Sequence, residues 1–159
     1  IGRGSCFSII LPFVCTMPVT PDEGLINRSA DISLAGYTVL VLDDDAAILD
    51  GILGLLTYWG CRVIAVSSSD DAFKQISDNQ VKPDLLIIDY RLAESESGID
   101  IARKIQNDLY HSLAVILLTG DTAPERLQEA AVSGFDLLHK PVELPELRST
   151  MLSLLKKTQ

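Results

Sequence analysis

At 159 residues the chain has room for one well-packed domain and a short appendage, and too little for two ordinary domains. An apolar share of 47% fits a globular protein whose sheet is covered on both faces. The net charge of −9, with no cluster of Lys and Arg, speaks against nucleic-acid binding and suits a soluble protein or a basic partner.

The chain opens with GRGSCFSIILP at residues 2–12, and its longest apolar stretch, from Phe7 to Val14, is broken by Ser8 and Pro12 well short of a bilayer span. No membrane contact is expected of this chain. Cys6, Cys15 and Cys61 form no CxxC pair and no ligand set with histidine, which excludes a disulfide framework and a zinc site and points to a reducing, cytoplasmic setting. The sequence opens on Ile1, which reads as a piece of a larger parent. Residues 13–36 are rich in Pro, Asp, Asn, Ser and Gly from Thr16 onward and read as a linker, so the folded domain is expected over 37–159.

From Tyr37 short apolar runs alternate with amphipathic stretches. The runs TVLVL (38–42), RVIAV (62–66), DLLII (84–88), LAVILLT (113–119) and FDLL (135–138) predict five strands, most of them continuous in Val, Ile and Leu as buried parallel strands are. Leu49, Ile52, Leu53, Leu56 and Trp59 predict a first helix that Gly60 ends. Ala72, Phe73 and Ile76 mark a second, and Ile101, Ala102 and Ile105 a third. The fourth has Thr122 as N-cap, Glu125 three residues on, Pro124 in its first turn and Gly134 past its end. The last carries Leu144, Leu147, Met151, Leu154 and Leu155. Five strands and five helices in alternation imply an α/β fold with a five-stranded, doubly wound parallel sheet, in which ligands bind beyond the carboxyl ends of the strands.

Those ends carry Asp43-Asp44-Asp45, Asp89, Thr119 and His139-Lys140-Pro141. Each Asp taken singly is as well explained by a solvated loop or a helix cap. Together they put several carboxylates at one edge, where mutual repulsion calls for a cation and an all-oxygen donor set favours Mg²⁺. A hydroxyl and an ammonium beside that ion are what a phosphoryl group in transfer requires.

The segments VLVLDDDAAIL, LLIIDYRL, VILLTG and LLHKPV stand in the order and spacing of the response-regulator receiver family, which the chain resembles over residues 37–159. The resemblance implies a flavodoxin-like fold with Asp89 as phosphoacceptor. Asp43, Asp44, Asp89 and the carbonyl of Arg91 would hold Mg²⁺, while Thr119 and Lys140 would contact the phosphoryl oxygens. It implies as partners a histidine kinase phosphohistidine domain and a histidine phosphotransfer protein. The bond before Pro141 is often cis in the family. Asp45 is assigned to capping of the first helix, and His111 and His139 to roles outside the chemistry.

Three features depart from the family pattern. The loop YRLAESESG lacks the usual Pro and is one residue longer before its Gly, and Leu137 stands where many relatives have an aromatic ring. Residues 2–12 resemble the closing strand of a histidine-kinase ATP-binding domain, the alternative being a simple tail. With the rest of that domain missing, the chain alone is not expected to use ATP. The parent would then be a hybrid sensor kinase. A stand-alone response regulator, a pseudo-receiver that only binds partners, and a haloacid-dehalogenase-like phosphatase using Asp43-x-Asp45 with Gly120-Asp121 are the competing readings.

Overall fold

The structure, a computed structural model, describes residues 34–78, 82–92, 97–109, 113–120 and 124–157. In chain order its elements are β1 (Thr38–Leu42), α1 (Ala46–Tyr58), β2 (Arg62–Val66), α2 (Ser69–Asp78), β3 (Leu85–Asp89), α3 (Gly98–Leu109), β4 (Ala114–Thr119), α4 (Pro124–Ser133), β5 (Asp136–His139) and α5 (Leu144–Lys157). All strand pairs are parallel, in the order β2-β1-β3-β4-β5.

The unbroken apolar strands divide their side chains between two cores with a period of two, because successive residues point to opposite faces. Leu40, Leu42, Leu86, Ile88, Val115 and Leu117 pack with Ala72 of α2 and Ile101, Ala102 and Ile105 of α3. Val39, Val41, Leu85, Ile87, Ile116 and Leu118 pack with Leu49 and Leu56 of α1 and Leu147, Met151 and Leu155 of α5. Two helix positions differ from the periodic reading. Leu53 falls on the exposed side of α1, one residue beyond the Ile52 row, and Leu144 is exposed at the start of α5, where the buried stripe runs 147, 151, 155.

Three strands begin one residue later than the apolar runs. Asp84 accepts the Thr38 N–H on its own carboxylate at 2.7 Å and so closes the sheet edge before the β1–β3 register begins. The Leu113 carbonyl is taken by the Gln106 amide at 2.7 Å, and the Phe135 N–H donates to Ser133 Oγ at 3.2 Å. At their far ends β3 and β5 run on to Asp89 and His139.

Helix α1 is capped at both ends. The Asp45 carboxylate accepts the N–H groups of Ala47 and Ile48 at 2.8 and 3.4 Å, as expected for its N-cap role. At the other end the Cys61 N–H reaches the Leu56 carbonyl and the Gly60 N–H that of Thr57, a Schellman closure that places Gly60 at φ 86°, where a side chain is disfavoured. Leu34, inside the span read as linker, is buried beside Leu56 and Cys61. The Thr122–Glu125 capping pair, His111, Cys6, Cys15 and the segments 2–12 and 13–33 lie outside the residues whose side chains are described.

Candidate functional site

The strand order reverses direction of winding between β1 and β3, so the residues that follow these two strands face one crevice. Asp43, one residue past β1, is 1% exposed. Its Oδ1 accepts the Asp45 N–H at 3.0 Å, which holds the carboxylate in a tight turn and leaves Oδ2 to the crevice. Asp44 is exposed beside it, and Asp89 is half-buried at the end of β3. Carboxylate oxygens of Asp43, Asp44 and Asp89 all lie within 4.8 Å of one another. Asp45 is turned away onto its helix, so the Asp43-x-Asp45 pairing needed by the phosphatase reading is not formed.

Lys140 arrives from β5. Its backbone N–H donates to the Thr119 carbonyl at 2.7 Å, and the following bond to Pro141 is cis. The ammonium donates to Asp43 Oδ2 at 2.7 Å and to Asp89 Oδ2 at 2.8 Å. Burial alone would push this ammonium down, and the hydrogen bonds and attraction of the two carboxylates outweigh it, holding Lys140 above the ordinary lysine value. Thr119, at the end of β4, is 4% exposed. His139 is exposed.

The loop after β3 is set by close backbone approach. The Arg91 N–H donates to Asp89 Oδ1 at 3.2 Å, and Arg91 bridges Ser97 across the loop. Gly98 donates its N–H to the Tyr90 carbonyl at 2.9 Å. A Cβ on Gly98 would stand 2.2 Å from the Asp89 carbonyl oxygen, which only a glycine avoids. The sequence flagged this glycine by its position but not the reason for it. The Tyr90 hydroxyl, which donates to Glu129 of α4, had no sequence signal.

Residues 39–152 match the family of the response regulator receiver domain. The chain belongs to that family. This receiver is 30% identical over 127 residues to the phosphate regulon transcriptional regulatory protein PhoB of Pseudomonas aeruginosa, covering 79% of this chain and 54% of that one. It is 26% identical over 121 residues to the response regulator MprA of Mycobacterium ulcerans, covering 76% and 51%. The chain thus spans about half the length of the curated relatives it matches. Among solved structures, a response regulator receiver domain protein from Clostridium thermocellum gives a TM-score of 0.68 at 31% identity, over 76% of this chain and 95% of that one. The receiver domain of a Francisella response regulator gives 0.66 at 28%, over 77% and 99%.

Proposed function

We propose that this receiver takes a phosphoryl group from the phosphohistidine of a histidine kinase onto Asp89. The observation that carries the reading is the Lys140 ammonium bonded to both Asp43 Oδ2 and Asp89 Oδ2 with Asp44 in the same cluster. Two of the three carboxylates share one ammonium, and an oxygen-only set of this kind fits a hard divalent ion. Asp43, Asp44, Asp89 and the Arg91 carbonyl would hold Mg²⁺, which when bound offsets charge on the phosphoryl oxygens.

An Asp89 carboxylate oxygen attacks phosphorus, the phosphorus–nitrogen bond to the donor imidazole breaks, and the electron pair leaves with that ring. Lys140 exchanges its bond to Asp89 for one to a phosphoryl oxygen, and the Thr119 hydroxyl donates to another. Water attacking the phosphorus of the acyl phosphate, with the same groups in place, releases inorganic phosphate and restores the Asp89 carboxylate, so the chain promotes its own phosphorylation and slow dephosphorylation. Intact mass after incubation with Mg²⁺ and acetyl phosphate tests this. One added phosphoryl is expected, and its persistence in Asp89→Asn would sink the assignment.

We further place the receiver in a hybrid sensor histidine kinase in the cytoplasm, passing its phosphoryl group to a histidine phosphotransfer protein. The resemblance of residues 2–12 to a kinase strand supports this parent, Leu137 supports a relay in place of an aromatic switch, and the acidic surface supports protein partners over nucleic acid. A stand-alone response regulator is the second reading, favoured by the names of PhoB and MprA. The full-length gene decides between them: a kinase core encoded ahead of residue 1 supports the first, and its absence the second.

A further inference from the structure

Tyr90 follows Asp89 directly, and the chemistry above makes no use of it. Its side chain is buried, 5% exposed, among Ile88, Leu92, Ile99 and Leu117. Its N–H donates to the Leu118 carbonyl at 2.7 Å, one residue before Thr119, and its carbonyl accepts from Gly98 at the start of α3. Its hydroxyl crosses to α4, 39 positions on, and donates to Glu129 Oε2. Glu129 is an exposed residue on the wall of a cleft of ≈ 360 Å³ between α3 and α4 that Ile99, Arg103, Gln128 and Val132 also line. An exposed glutamate ordinarily keeps its rotamer freedom. Here it is held to a phenol that the core fixes on every other side, and a hydrogen bond to a charged acceptor is stronger than a neutral one.

We propose that Tyr90 is a positioning residue whose bond to Glu129 fastens α4 to the strand end carrying Asp89, so that a change at Asp89 reaches α4. The peptide between Asp89 and Tyr90 is planar, so any rotation of the Asp89 backbone displaces the Tyr90 Cα. The ring is packed on its sides and moves as a stiff arm, with its only polar end on α4. Leu137 of β5, which packs against the same core, has no polar atom with which to make such a link. A path from site to surface in this receiver therefore runs through the residue after the phosphoacceptor, beside the one that Lys140 gives to β5.

Amide exchange and NMR on the 159-residue chain test the proposal. Tyr90→Phe, which removes one oxygen and keeps the ring, is expected to speed exchange of the α4 amides by roughly five-fold while α5 is unchanged. It should also remove most of the chemical-shift response of α4 to beryllofluoride with Mg²⁺. Glu129→Ala, at an exposed position that does not threaten folding, should reproduce both effects, and Glu129→Gln, which keeps an acceptor oxygen, should restore them in large part. Wild-type exchange in α4 of both Tyr90→Phe and Glu129→Ala overturns the fastening. An α4 that ignores beryllofluoride in the wild type, while Thr119 and Lys140 respond, overturns the transmission. The last step rests on Asp89 as phosphoacceptor, and that reading fails separately: beryllofluoride would then perturb neither Thr119 nor Lys140, while the loosening of α4 by Tyr90→Phe would remain.

Discussion

The Lys140 ammonium lies 2.8 Å from Asp89 Oδ2, joining residues 51 positions apart, and its second bond, to Asp43, ends on a carboxylate that is 1% exposed. Lys140→Ala leaves that buried carboxylate beside two others with no cation. Full removal of one partner from a buried pair costs about 3–5 kcal/mol, and a lysine that keeps a fifth of its surface should cost less, about 2 kcal/mol, in the absence of Mg²⁺. Added Mg²⁺ should then stabilise the variant more than the wild type. Urea titrations with chelator and with Mg²⁺ check this, and equal gains for both proteins would count against the charge argument.

Asp44 and Asp45 are neighbours with different duties. Asp44 shares the carboxylate cluster, whereas Asp45 caps α1. Asp44→Asn should weaken Mg²⁺ binding by about ten-fold or more, since it removes one charged oxygen ligand. Asp45→Asn should leave affinity and stability close to wild type, because asparagine caps as well as aspartate. Equal losses of affinity in a calorimetric titration would contradict this division.

The glycines divide by what surrounds them. Alanine at Gly98 would press against the Asp89 carbonyl, and the backbone shift needed is expected to cost about 1–3 kcal/mol and to slow phosphoryl acceptance. Around Gly51 and Gly54 of α1 an added Cβ meets nothing within 4 Å. Alanine there should stabilise by about 0.5–1 kcal/mol each through helix propensity. Thermal melts of the three variants give opposite signs if both statements hold.

Cys61 is buried, its thiol directed to the Leu34 carbonyl at 3.5 Å, and burial pushes its pKa up. The folded state therefore keeps a proton that the unfolded chain gives up at about pH 8.5. The stability linked to this thiol is present below that value and is lost as pH rises through the folded pKa. In a Cys6→Ser, Cys15→Ser background, thiol modification at pH 8 should be slow until urea unfolds the protein, and stability should fall more steeply above pH 9 than in the same background with Cys61→Ala. Rapid labelling of the folded chain would show that the residue is not enclosed.

The sheet was legible chiefly through β1, β3 and β4, which are covered on both sides, so that Val, Ile and Leu run there almost without interruption. Its exact starts were not, since they depend on side chains such as Asp84, Gln106 and Ser133 that take up single backbone groups from elsewhere in the fold. The Asp43, Asp44, Asp89 and Lys140 set was visible because each follows a predicted strand, and parallel strands bring such ends to one edge. The packing of Leu34 and the bond from Tyr90 to Glu129 left no trace in composition or period. Both join residues whose spacing along the chain carries no rule.

The strand order also dictates when the site can exist. A ribosome releases Asp43 first, Asp89 forty-six residues later, and Lys140 fifty-one residues after that, just past β5 at one edge of the sheet. A nascent chain that has folded through β4 can gather the three carboxylates yet lacks the ammonium that binds two of them. The ion pairs of the Asp43 and Asp89 carboxylates with Lys140 thus wait on β5, and under the proposed chemistry a chain folded only through β4 is a poor phosphoryl acceptor.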